Sequence, residues 1–171
     1  MKLSDSKRAI TGGFLREKPL TRFRVYAPAS VLFFHVYVWR TQAELIRSRE
    51  RRGLKRTQCS AYTYTYKLTD KKTRRVLPII GEIHLWRAKL FADVAVEAIS
   101  HEAFHAALAL HRRFKGNFTR WEDWNTDDTS EELVVWIAGL LAKYVYAGLE
   151  KRALINMDWR QLRPGQKYVR R

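Results

Sequence analysis

The sequence predicts an α+β domain in which a small, mostly antiparallel or mixed sheet packs on a long helix, with a second long helix beside it. Three observations predict it. Four short runs rich in β-branched and aromatic residues fall in the first half of the chain. Two long stretches without proline fill the second half. The order is strand, strand, helix, two strands, then two helices, which suggests strands and helices segregated into layers.

Taken in order, residues 1–20 contain Gly12-Gly13 and Pro19 and read as a loose lead-in. Residues 22–26 alternate as a strand should, and Pro28 breaks the run. Residues 30–39 (SVLFFHVYVW) suit a central strand. Thr41-Gln42-Ala43-Glu44 is a capping box that opens a helix ending at Gly53. Residues 62–66 and 79–86 (IIGEIHLW) are two further strands. A long helix is expected from residue 88 to about 112, a polar loop with Trp121 and Trp124 from 116 to 128, and a third helix from about 130 to 147. The expected domain is 21–149, and 150–171 is a basic C-terminal extension.

At 171 residues, with 46% hydrophobic and 13% aromatic content, the chain can build one real core. The single cysteine, Cys59, excludes an internal disulfide framework and a multi-cysteine zinc cluster, and it favours a reducing, cytoplasmic setting. The N-terminus lacks the apolar h-region of a signal peptide. Residues 133–149 are mostly apolar, but the run is short for a span and Lys143 sits near its centre, so a helix buried in protein is expected and no membrane span. Net charge is +16, which suits either a well-solvated basic surface or a polyanionic partner such as nucleic acid.

The chemistry concentrates at His101-Glu102-Ala103-Phe104-His105. Residues four apart share a helix face, about 6 Å apart along the axis, so His101 and His105 can aim both imidazoles at one Zn²⁺. Glu102 lies about 100° round the helix, beside the metal, placed to act as general base on a zinc-activated water. A chance H-E-x-x-H in a chain with five histidines has a probability on the order of one in a hundred. Apolar residues surround the helix on both sides, which predicts that it is buried and that its histidines need partners.

A catalytic zinc usually takes a third protein ligand. His111 is three residues beyond the place where a turn-making glycine would be needed, and Leu108 occupies that place, so His111 points elsewhere. Glu131 and Glu132 open the next helix. Glu131 shares a side with Val134, Ala138, Ala142 and Val145 and is the expected ligand, with Glu132 the alternative. Thr129-Ser130-Glu131-Glu132 also reads as a capping box, which would give Glu132 a structural role. Asp123, Asp127 and Asp128 are outsiders.

The segments SHEAFHAAL and SEELVVWIAGLL resemble the zincin-like metallopeptidases of the glutamate-ligand type, and within them small prokaryotic and phage domains such as the ImmA/IrrE-type peptidases. The likeness covers about residues 79–145, although the Met-Pro ending that often follows the leucine pair is absent. It implies a zincin-like fold, His101, His105 and Glu131 as ligands of Zn²⁺, and Glu102 as catalytic base. It also implies that the strand with Glu82 and His84 is the edge that pairs with an extended protein or peptide substrate.

His84 and Tyr144 are candidates for touching substrate, each set against a plain structural role. Two rival readings accompany the peptidase: a SprT-like protease associated with nucleic acid, motivated by the charge, and a non-catalytic basic binding or inhibitor protein.

Overall fold

A computed structural model of the chain describes residues 18–115 and 128–155. Most of the lead-in and of the basic extension lies outside these residues, as do Trp121, Asp123, Trp124 and Asp127.

The elements are β1 (Thr21–Tyr26), β2 (Phe33–Trp39), α1 (Gln42–Glu50), β3 (Ala61–Thr65), β4 (Ile79–Trp86), α2 (Ala92–Lys115) and α3 (Asp128–Glu150), with a short 3-10 turn at Arg87–Lys89. The strands form one mixed sheet in the order β1-β2-β4-β3. β1 runs antiparallel to β2, β2 parallel to β4, and β3 antiparallel to β4. This is the α+β class expected, with the sheet mixed.

Alternation along the strands sorts side chains onto two faces. Phe23 and Val25 of β1, Phe34, Val36 and Val38 of β2, and Ile83 and Leu85 of β4 form the main core with Ile99 and Leu110 of α2 and Val134, Leu141 and Val145 of α3. The opposite face carries Tyr37, Trp39 and Tyr62, closed over by Leu45 of α1. Covered on both sides, β2 is buried at every position, the pattern of an inner strand. Truncating a wholly enclosed side chain such as Leu141 would cost about 2–5 kcal/mol.

Local chemistry sets the element ends. Thr41 accepts from the Glu44 N–H at 3.2 Å, and the Glu44 carboxylate accepts from the Thr41 N–H at 3.2 Å, the reciprocal box read from the sequence. Gly53 ends the α1 region with φ of 73°, which glycine adopts without a Cβ clash. Gly81 in β4 lies so close to the Tyr64 carbonyl of β3 that a Cβ has no room.

Three expectations change. β4 is an inner strand, and among the described residues the sheet edge next to α2 belongs to β3. α3 is already helical at Asp128, so Thr129 is not its cap. α2 is not buried all round: Ile99, Ala103, Ala106 and Leu110 face inward, while Glu97, Ser100, His101 and His105 are exposed. Over residues 131–150, α3 is long and apolar enough to cross a membrane, with a mean hydropathy of 1.4. Here its inner stripe packs into the core, and Leu133, Val135, Trp136 and Tyr144 remain on the surface together with Lys143.

Candidate metal centre

The one-sided burial of α2 leaves both histidines of the motif on its outer flank, one turn apart. Their rings meet edge to face, with centroids 4.7 Å apart and planes at 80°. The two Nε2 atoms point at each other across 3.1 Å. Two zinc ligands about 2.05 Å from the metal at a tetrahedral angle stand about 3.3 Å apart, so this pair fits one divalent ion as two of its ligands. His105 is held below the usual histidine range by burial, then by the charges of His101 and Arg112. A neutral imidazole is the form that binds metal.

Glu102 turns the other way, toward the sheet, and is only 5% exposed. Its Oε2 is buried with no hydrogen-bond partner among the described residues. Burial pushes its carboxyl up; hydrogen bonding from Thr63 and the charges of His101 and Arg49 act against that and do not offset it. The Thr63 hydroxyl also donates to the Glu102 carbonyl at 3.0 Å, fastening edge strand β3 to α2 at the motif. A carboxylate desolvated in this way is a stronger proton acceptor than one in water.

No known family, curated protein or solved structure matches this chain.

The remaining sequence candidates stand apart from the pair. Among the described residues no three His, Cys, Asp or Glu side chains gather as a metal site. The Tyr146 hydroxyl lies next to Ser100, which sets that level of α3 beside His101. At roughly 1.5 Å per residue, Glu131 stands about 22 Å along α3 from that level. Glu131 follows the inner stripe of Val134, Ala138 and Val145, and Glu132 the outer one of Trp136, Gly139 and Lys143, yet both glutamates are exposed. His111 faces inward at 6% exposure, on a different side of α2 from His105. Tyr144 is 40% exposed and lies about 200° round α3 from Tyr146, on the flank one turn from Gly148 that meets Phe23 of β1, away from the histidine pair.

His84 is enclosed completely, on the face of the sheet opposite α2, and offers no atom to a substrate. It is stacked between Tyr62 and Tyr37, at 4.3 Å and 4.8 Å. Its Nε2 meets Glu82 Oε2 at 3.0 Å, and Glu82 is ion-paired with Arg52. Arg52 also donates to the Ser48 carbonyl and hydroxyl, each at 2.8 Å, and the Ser48 hydroxyl reaches Tyr62 OH at 2.8 Å. Burial holds His84 down to about 4, with Glu82 opposing and Arg52 reinforcing the shift. This network is a polar core beneath α1. The sequence signal for it was Glu82 and His84 two apart on one strand, which places them on one face, but only the pairing with β2 and β3 identifies their neighbours.

Proposed function

We propose that the chain is a zinc-dependent peptidase of zincin-like type, with His101 and His105 as two ligands of the metal and Glu102 as the general base. The observation that carries this reading is the facing pair of imidazole nitrogens at 3.1 Å, next in sequence to a buried carboxylate one of whose oxygens has no hydrogen-bond partner among the described residues. Zinc bound there would supply a Lewis acid for the scissile carbonyl and lower the pKa of the attacking water.

The chain's own groups do the rest. Glu102, with its proton affinity raised by burial, takes the proton of the attacking water and returns it to the departing amine. Thr63 keeps the Glu102 turn of α2 against β3. The outer edge of β3, beside α2, is the place for an extended peptide to add as a further strand. The substrate class is a protein or peptide in extended conformation.

The test is metal analysis with peptide cleavage. Purified protein should carry about one zinc per chain, lost in His101→Ala and in His105→Ala. Glu102→Gln should retain the metal and lose cleavage of a mixed peptide library. Protein that neither holds nor titrates zinc, or a Glu102→Gln variant that still cleaves, would overturn the proposal.

A further inference from the structure

On the far side of the sheet from the histidine pair, α1 rests on β2 and β4, and the side chains that β1 turns to that face are exposed among the described residues. Arg22, Arg24 and Tyr26 alternate outward there and are exposed. The aromatic side chains of β2 form a floor under them. The Arg22 guanidinium lies 5.7 Å over the ring of Tyr37, and its terminal nitrogen meets His35 Nε2 at 3.1 Å. Arg24 lies 4.8 Å over Phe33. Tyr26 packs its ring against Phe33 at 5.7 Å and keeps half its surface in solvent.

Neither arginine pairs with a carboxylate among the described residues. Each guanidinium carbon instead lies over an aromatic ring, and Arg22 is held by His35 as well. Residues 40–56, which include the neighbouring helix, carry seven Lys and Arg against two Glu, of which Arg52 is ion-paired with Glu82 and Arg56 with Glu50 at 3.7 Å. Arg47 is exposed on the outer face of α1, and the Arg56 side chain keeps 80% of its surface.

We infer that this side of the sheet binds single-stranded nucleic acid, with phosphates on Arg22, Arg24 and the arginines of α1 and an unstacked base against Tyr26. Planar cations offer hydrogen bonds to phosphate and a flat face to a base, and an exposed tyrosine adds a second stacking surface. An anionic lipid surface would be met better by apolar side chains standing clear of the basic ones, whereas the aromatic residues of β2 here are buried, with Arg22 and Arg24 over Tyr37 and Phe33. The inference is independent of zinc, because the two surfaces lie on opposite faces of the sheet.

The experiment is fluorescence anisotropy of labelled oligothymidylate and oligouridylate with the full chain, over a salt series. Binding should weaken steeply with salt. Arg22→Glu with Arg24→Glu should reduce affinity by about tenfold or more, and Tyr26→Ala by about fivefold or more. Arg24→Gln is a milder variant, expected to weaken binding in the same direction should charge reversal disturb the sheet. His101→Ala should bind as the wild type does. Failure to bind near physiological salt, or binding indifferent to all the β1 variants, would overturn the assignment. So would retention on phosphatidylserine vesicles that oligonucleotide does not compete away.

Discussion

The Trp39 indole N–H donates to His84 Nδ1 at 3.0 Å across the parallel pair β2 and β4. An indole nitrogen only donates, so Nδ1 is the bare nitrogen and the His84 proton resides on Nε2, directed at Glu82 Oε2. Trp39→Phe leaves that buried acceptor without its donor. The expected loss is about 1–3 kcal/mol of stability in a urea titration. An unchanged midpoint would mean that the Ser48 hydroxyl, 3.4 Å from the same nitrogen, has taken over.

Acid should loosen the fold before it protonates ordinary carboxylates. His84 is held to about 4 by burial, and His35 to about 4 by burial and then by Arg22 and Arg24. Both are protonated more readily in the unfolded chain, so their contribution is complete above pH 6.5 and is lost as pH falls toward 4. Burial alone would raise Glu82, but His84 and Arg52 outweigh it and bring it to about 2, adding a further loss as pH falls below 4.5. The melting temperature should therefore drop steadily from neutral pH downward, less steeply in His35→Gln. A flat profile down to pH 4 would contradict this account of both histidines.

Glu102 has the opposite sign. Its carboxyl is raised in the fold, so stability is given up as pH climbs past the ordinary carboxyl value. In metal-free protein at neutral pH, Glu102→Gln should melt at a higher temperature than the wild type. Such a gain, alongside lost cleavage, is the signature of a side chain kept for chemistry and not for stability. A lower melting temperature would mean that the carboxylate has a binding partner in solution.

The separation of Glu131 from the histidines is directly testable. Glu131→Gln should leave zinc content unchanged, whereas His101→Ala should abolish it. Loss of metal in Glu131→Gln would require α3 to sit in a different register on α2 from the one set by Tyr146 and Ser100.

Gly81→Ala should destabilise by about 1–3 kcal/mol, because the new methyl meets the Tyr64 carbonyl and not a side chain that can swing away. Thermal denaturation reads this out. Cleavage should fall as well, since displacing β3 moves Thr63 from Glu102.

Much of this architecture was legible because its signals are local. The Thr41–Glu44 box and Gly53 bracket α1, and the apolar run of residues 79–86 matches β4 to the residue. The run of residues 30–39 overshot β2 at its start, since Ala29 takes a left-handed φ of 49° and a turn from Ala27 to Leu32 uses the first residues. The i, i+4 spacing of His101 and His105 placed both rings on one face for the same local reason. What escaped depends on partners distant in sequence. No local feature of β4 says that it pairs with β2, so it could be taken for an edge and His84 for a surface group. The level at which α3 meets α2, which separates Glu131 from the histidines, is likewise a packing outcome.

Among the described residues strand β3 has one neighbour in the sheet, and yet it is the strand that touches Glu102. Outermost strands fray first, so water would reach the carboxylate in brief openings that leave the rest of the fold intact. Each opening returns Glu102 toward an ordinary acid. A peptide laid along the outer edge of β3 would suppress the fraying, so the occupied site would be drier than the empty one. The strength of the base would then answer to the presence of its substrate.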